Sequence, residues 1–421
     1  MSRRGDEILA AVTGVTITDR ADPGVLAVLE RRILRNGELG GVKPTKENAI
    51  LVLERDPHWD GRIWANELDG MIYLDNEPIR DEQETSIYRW IFRCYEFHVG
   101  DTDLSKAIAL VAYQQRRHPV REYLNGLTWD GTARLDDWLS RYCRASAAPL
   151  IGRIGACWMI SAVARVMDPG CKVDTCLIFK SKQGATKSTT FEALAVRPEW
   201  FSDSDIDMTS KDKYQSIQGV WIYELAELSS IRKADNNSVK SFVTSRRDRY
   251  RPAFGRYQVV QKRQTVFVGS TNEEAFLTDP TGSRRFWPVT VGAIDKDGLL
   301  AVRDQLWAEA LSRYKAGAQW WLTKPEEEAL YLHNQQYRQG DIWEETIEAW
   351  ASKRAAPFTQ AEVMEDALGR EMKSANGRDE IRTRSVLTAL GYTSKQMRLT
   401  GQGKARRWWR DTWNGKPWET P

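Results

Sequence analysis

The sequence predicts an α/β protein: a core sheet flanked by helices, preceded by a mixed α/β domain and followed by a small basic domain. Three observations carry this reading. Between about residues 168 and 315, short β-type apolar runs alternate with helical stretches, the pattern of strands joined by crossover helices. A long apolar stretch at 151–166 has helical character and stops at Asp168-Pro169-Gly170, which marks where that region begins. Finally, 421 residues exceed one ordinary core and imply two or three domains. Punctuation places boundaries near 165 and 340. The expected divisions are a mixed domain at 1–115, a helical lead-in at 116–167, the core at 168–315, a helical connector at 316–342 and the basic domain at 343–421.

Composition excludes several classes. Apolar residues make up 41% and charged residues 28%, which argues against a disordered or fibrous chain. Sixty-one Lys and Arg against 58 Asp and Glu leave a formal charge of +3, so only local clustering of charge speaks to nucleic acid. Five cysteines form no Cys-x-x-Cys pair and are odd in number, which argues against a zinc ribbon or a disulfide framework. No run of about 18 apolar residues occurs, and the start lacks a secretory pattern, so the expectation is a cytoplasmic protein with no membrane partner.

Along the chain, Ala49–Leu53 reads as helix or strand. Gly61–Ala65 and Met71–Leu74 read as short strands around an Asp69-Gly70 turn. Helical spacing runs from Asp103 to Gln115 and stops at His118-Pro119. Asp56-Pro57-His58-Trp59-Asp60 resembles an acid cluster, but no second acidic strand completes it and a surface turn is preferred. The four histidines have no paired spacing for zinc. Most of the 18 tryptophans belong to cores or interfaces, with Trp408, Trp409 and Trp413 expected to be exceptions because arginines surround them.

The chemistry concentrates in the middle. Asp174–Phe179 reads as a buried strand, followed by the loop Ser181–Thr186, then Lys187-Ser188-Thr189 and a helix. In a phosphate-binding loop of this kind, backbone N–H groups and the helix N-terminus face the phosphates. The Lys neutralises them and the Ser hydroxyl binds Mg²⁺. Gln183, Gly184, Ala185, Thr186, Lys187, Ser188 and Thr189 are therefore candidate nucleotide-binding residues. The full pattern places Gly at 181 and 186, where this chain has Ser and Thr. Gly219–Glu227 is an apolar strand ending in two acids, Glu224 and Glu227. One suits a metal shell and the other an attacking water, although acids also begin ordinary helices. Gln264–Asn272 is a further strand with a polar end, and Arg284-Arg285 follow a turn.

Several longer segments join these: Trp200-Phe-Ser-Asp, Trp221-Ile-Tyr-Glu-Leu-Ala-Glu-Leu, Asp248-Arg-Tyr-Arg-Pro and Gly282-Ser-Arg-Arg-Phe-Trp-Pro288. Upstream lie His118-Pro-Val-Arg-Glu-Tyr-Leu and Trp129-Asp-Gly-Thr-Ala-Arg-Leu-Asp136. In this order, over roughly residues 40–315, the chain closely resembles the virulence-associated protein E family, phage- and prophage-encoded P-loop proteins similar to superfamily 3 helicases. The resemblance implies a P-loop AAA+-like core, ATP with Mg²⁺, a homo-oligomeric ring, expected to be a hexamer, and DNA replication of a mobile element. It casts Lys187 and Ser188 as the phosphate-loop pair and Glu224 and Glu227 as the acids. Ser188 and Glu224 would hold the metal, Asn272 would act as sensor, and Arg284 or Arg285 as a finger from the next subunit.

Between these motifs, Arg246, Arg247, Arg249, Arg251 and Arg256 interleave with Tyr250, Phe254 and Tyr257. Cations for phosphates and rings for bases suit a surface that tracks DNA, and the resemblance implies a channel-lining hairpin here. Arginines pairing with core acids would give the same composition. A helix from Ile381, Gly391-Tyr392 and two basic β-type stretches suggest a winged-helix-like C-terminal domain. The leading expectation is a DNA helicase or translocase acting on single-stranded or forked DNA, with priming left to a separate primase. The alternative is a DNA-binding initiator or scaffold with weak or no ATP hydrolysis, because Ser181 and Thr186 replace the loop glycines. A small-molecule kinase would need a lid and an acceptor pocket that are not legible.

Overall fold

The computed structural model describes residues 20–182, 186–225, 236–251, 258–277, 283–354, 356–370, 377–398 and 404–410. The chain forms two compact units. The first runs through Thr128 and takes in Ile217–Trp221; the second comprises Trp129–Ser216 and Ile222 onward.

In the first unit, α1 (Pro23–Val28) precedes the hairpin β1 (Arg31–Ile33) and β2 (Leu39–Val42). Ala49–Leu53 belong to α2 (Lys46–Arg55), whose start is capped by the Thr45 hydroxyl accepting from the Asn48 N–H. Strands β3 (Ile63–Asn66) and β4 (Ile72–Leu74) pair antiparallel across the Asp69-Gly70 turn. With β5 (Glu77–Pro78) and β6 (Arg116–Arg117) they form a four-stranded sheet in the order β5-β4-β3-β6. Helices α3 (Asp81–Tyr95) and α4 (Asp101–Gln114) share a core with α2 that contains Trp59 and Trp90, and α5 (Pro119–Gly126) follows. The Asp56–Asp60 segment is a turn with a buried side. Asp56 accepts from the Tyr95 hydroxyl at 2.5 Å, and His58 stacks on Trp90 with ring centroids 4.8 Å apart. Among the described residues no group of three His, Cys, Asp or Glu is placed to hold a metal.

The second unit begins with α6 (Trp138–Cys143) and α7 (Pro149–Met167). α7 is long and apolar enough to cross a membrane, but 78% of its apolar window is buried inside the protein. Gly152 and Gly155 let it approach its neighbours. A Cβ at 152 would stand 2.2 Å from the Asp136 carbonyl oxygen, and one at 155 would stand 2.6 Å from Trp138 Nε1. The core sheet follows: β7 (Cys176–Lys180), α8 (Lys187–Leu194), β8 (Phe201–Ser202), β9 (Ile222–Leu225), α9 (Asn236–Thr244), the hairpin β10 (Arg247–Tyr250) and β11 (Val259–Lys262), β12 (Val266–Thr271) and β13 (Phe286–Thr290). Five strands pair in parallel in the order β13-β7-β12-β9-β8. Every residue of β9 and β12 is buried, as central strands covered on both faces require.

Helices α7, α8 and α10 (Lys296–Lys315) flank this sheet. Trp158 packs between Trp138 and Trp307, at centroid distances of 6.5 and 6.4 Å. Two of these rings satisfy their N–H groups inside the core: Trp158 donates to the Phe267 carbonyl and Trp307 to that of Leu194. Glu309 on α10 is fully buried, yet it accepts from the backbone N–H groups of Arg134 and Leu135 and from the Arg313 guanidinium. The carboxylate thereby pins a distant loop to α10.

After α11 (Lys324–Asn334) come α12 (Glu344–Ala351), β14 (Phe358–Thr359), α13 (Gly377–Ala389), β15 (Thr393–Arg398) and β16 (Lys404–Trp409). The last three strands form an antiparallel sheet in the order β14-β16-β15. Contrary to the expectation from its arginine neighbours, Trp408 is buried in this module's core with Phe358, Val386 and Tyr392. The reach of β14 explains the difference: Trp408 stands opposite Phe358 on that strand, whereas Arg406, on the same face two residues earlier, lies past the end of β14 and is exposed. Trp409 is half-buried and Trp413 lies outside the described residues.

Candidate functional site

Parallel pairing brings the C-terminal ends of β7, β12 and β9 to one edge of the sheet. Ser270 stands opposite Phe179, and Glu224 opposite Val268. Ligands of open parallel sheets bind at such an edge, where successive connections leave in opposite directions. β7 continues into Ser181, and Lys187 and Ser188 open α8. The Lys187 ammonium donates to Asn272 Oδ1 at 2.6 Å and to Ser181 Oγ at 3.0 Å. The Ser188 hydroxyl donates to Glu224 Oε1 at 3.0 Å. Five residues from three motifs therefore come together, with Thr189 half-buried on the same first turn. Gln183, Gly184, Ala185 and Glu227 lie outside the described residues.

Ser181 contributes something that pattern matching misses. The motif counts it as a lost glycine, whereas its buried hydroxyl is one of the groups that hold the ammonium. The signal was available in its hydroxyl, a side-chain donor and acceptor placed where β7 passes into the loop.

Thr186 caps α8 in the left-handed conformation, at φ 49° and ψ 35°. A β-branched residue there is strained by about 1–2 kcal/mol, which explains why the motif prefers Gly. The Thr186 carbonyl nevertheless accepts from the hydroxyls of Thr189 and Thr190, at 2.8 and 2.9 Å. Its side chain is exposed, so its removal leaves no cavity. Thr186→Gly is therefore expected to stabilise the protein by about 0.5–1 kcal/mol, after the flexibility gained by the unfolded chain is subtracted. A raised urea midpoint at unchanged slope would show it, and Thr186→Ala, which keeps the Cβ, should gain less.

Burial pushes the Glu224 carboxyl above its ordinary value, while the hydroxyls of Ser270 and Ser188 pull the other way. Among the described residues, its buried Oε2 has no hydrogen-bond partner. Burial also lowers the Lys187 ammonium, against the opposing attraction of Glu224. A carboxyl raised in the folded state binds its proton more tightly there than in the unfolded chain. Its charged form thus costs stability above the folded value, and the cost fades as pH falls through that value toward 4.5. In chelator-treated protein, Glu224→Gln should be more stable than wild type at neutral pH. The gap should narrow on acidification; a gap independent of pH would contradict the buried-charge account.

Arg284 and Arg285 sit elsewhere. They precede β13, whose Phe286 pairs with Cys176 at the start of β7, while Thr290 pairs with Lys180 at its end. Within one chain, therefore, the length of the sheet, about 15 Å, separates them from the Lys187 cluster.

The basic segment forms the β10–β11 hairpin, with Arg247 opposite Lys262 and Arg249 opposite Val260. Arg247, Arg249 and Arg251 are exposed, and among the described residues the Arg247 and Arg249 guanidiniums meet no acid. Arg246 is tied down, donating to the Gly170 carbonyl at 2.6 Å. Arg256 lies outside the described residues. Asp248 faces inward and forms a fully buried ion pair with Arg263, which lies over the rings of Phe242 and Phe267. Sequence reading did not single out Arg263, although the period-two alternation Arg247-Asp248-Arg249 marks the acid as the inward residue.

A virulence-associated protein E-like domain model matches residues 124–339, just over half of the chain. No curated protein matches. Among solved structures, an A-form apo structure of the NrS-1 C-terminal region (305–718) aligns at 11% identity and TM-score 0.45, covering 83% of this chain and 95% of that one. A second apo structure of the same region aligns at 12% identity with the same score, covering 82% and 95%.

Proposed function

Because the chain belongs to the virulence-associated protein E-like family, we propose that it is a P-loop ATPase that drives movement on DNA during replication of a phage or other mobile element. The observation that carries this reading is the convergence of Lys187, Ser188, Glu224 and Asn272 at the C-terminal edge of the parallel sheet. Numbered along the chain, the strands stand in the order 5-1-4-3-2, so the strand bearing Asn272 lies between the loop strand and the acid strand. That order supports an AAA+-like core.

The residues suit ATP with Mg²⁺. Magnesium takes few protein ligands and completes its shell with phosphate oxygens and water. The buried Glu224 carboxylate, whose Oε2 has no partner among the described residues, and the Ser188 hydroxyl are such a hard-oxygen pair. Mg²⁺ would neutralise charge on the phosphates. Lys187 exchanges its bonds to Ser181 and Asn272 for phosphate oxygens and thereby frees the Asn272 amide to orient water. Glu227 is assigned to activating that water, and an arginine of the next subunit in a ring, hexameric on this reading, supplies the remaining positive charge. The β10–β11 hairpin engages single-stranded or forked DNA through Arg247, Arg249 and Arg251, with Arg246 bracing its base; Arg256 is assigned to the same DNA contact. The C-terminal module, with exposed Lys395, Lys404 and Arg406 on its β15–β16 hairpin, acts as a winged-helix-like second contact. A separate primase would supply primers, and the setting is the host cytoplasm.

A second reading, an initiator or scaffold with little hydrolysis, is favoured by the strained Thr186 and by the Ser181 hydroxyl that ties up Lys187. Steady-state ATP hydrolysis with and without single-stranded DNA separates the two. DNA-stimulated turnover supports the motor; tight DNA binding with no turnover supports the scaffold. Replacing Arg247 and Arg249 together by Ala should lower the salt dependence of single-strand binding by about 1.4 in log–log slope, about 0.7 for each phosphate no longer neutralised. An unchanged slope would remove the hairpin from the DNA surface.

A further inference from the structure

A cavity of about 270 Å³ opens at the far end of the sheet, where Arg284 and Arg285 lie. Trp287, Trp320 and Trp321 wall it; Trp287 is buried, while Trp321 is 51% exposed and stands edge-on to Trp320 at 5.1 Å. Neither guanidinium has a hydrogen-bond or ion-pair partner among the described residues, and Arg285 Nε is buried. Thr175, which is 8% exposed and immediately precedes β7, also lines the cavity, and its buried hydroxyl has no partner among the described residues. Of the two acids in the wall, Asp174 is already 3.6 Å from Lys172, and Glu327 is on the solvent side.

Buried donors without acceptors are costly, and an unpaired cation more so. Structures tolerate such groups where a ligand completes them. The complement of two guanidiniums, a hydroxyl and tryptophan faces is a flat aromatic ring carrying anionic oxygens. The volume lies just below the usual range for small-molecule sites, about 300–1,000 Å³, and so suits one base with one phosphate better than a triphosphate. We propose that this cavity binds a single nucleotide unit, free or within a DNA strand, stacked on Trp321 with its phosphate on Arg285. Arg285 is thereby assigned to the cavity, which leaves the exposed Arg284 to face a neighbouring subunit's nucleotide.

Calorimetric titration with deoxyadenosine monophosphate and with a dT12 oligonucleotide tests this in wild type, Trp321→Ala and Arg285→Gln. Both variants should bind at least one probe about tenfold more weakly, within the range for loss of one base stack, while ADP affinity stays at the wild-type value. Weaker binding of the monophosphate identifies free nucleotide as the occupant; weaker binding of the oligonucleotide alone identifies the strand. Unchanged affinity for both probes in the Trp321 variant, which alters an exposed ring and leaves the core intact, overturns the proposal. So does inorganic phosphate displacing the monophosphate at equal concentration, which would mark a simple anion site. Failure of wild type to bind ADP would count against the Lys187 site and leave this test intact.

Discussion

Lys187→Ala is expected to lower ATP turnover by about 10²–10³-fold, the usual cost of removing one group that stabilises developing charge. The ammonium is part-buried and held by Asn272 and Ser181, so its position is set before any phosphate arrives. Alanine removes the charge and also leaves the Asn272 oxygen and the buried Ser181 hydroxyl without their donor. Glu224→Gln should differ in kind. Glutamine keeps the volume and can still pair with Ser188, so nucleotide affinity measured without Mg²⁺ should persist while Mg²⁺-dependent turnover collapses. Isotherms for ADP with and without Mg²⁺, set beside steady-state rates, check both variants. Equal turnover in wild type and Lys187→Ala would exclude this pocket as the seat of hydrolysis.

Asp248→Asn is expected to destabilise the second unit by about 3–5 kcal/mol, the cost of breaking a buried ion pair from one side. The Arg263 side chain has no exposed surface, so the uncompensated charge cannot turn to water. Arg165, also buried, lies close enough to feel the charges of the same pair. Burial lowers it to about 10, and the positive charge of Arg263 adds to that effect. Loss of Asp248 therefore leaves two cations in one interior. Replacing both partners, with Asp248→Leu and Arg263→Met, should cost much less than the single change. A double-mutant cycle from urea midpoints measures the coupling. The pair also ties β10 to the loop before β12, so the single variant should weaken DNA binding with little change in ADP affinity.

Much of the architecture was legible in the chain itself. Apolar runs such as Cys176–Phe179 and Val266–Val268 mark central parallel strands, and the stretch at 151–166 marks the buried helix, because burial on all sides leaves no polar periodicity to read. The cluster was legible residue by residue, since Glu224 and Asn272 follow apolar runs and Lys187-Ser188 open a helix after a short loop. The family resemblance put those residues in order. What stayed hidden depended on distance along the chain. The Asp248–Arg263 pair joins residues 15 positions apart, and Trp408 is buried because β14, far from it in sequence, lies opposite it. Arg284 and Arg285 were expected to serve a neighbouring subunit's nucleotide, and the strand register sets them a sheet-length from the Lys187 cluster of their own chain.

The sequence by itself determined which segments are strands and helices and which residues carry charge at their ends, because both follow from local periodicity. Only the tertiary structure decided which of those ends meet. Parallel pairing in a particular order gathers Lys187, Ser188, Glu224 and Asn272 at one edge and sends the two arginines to the other, and that order is set by packing across the sheet.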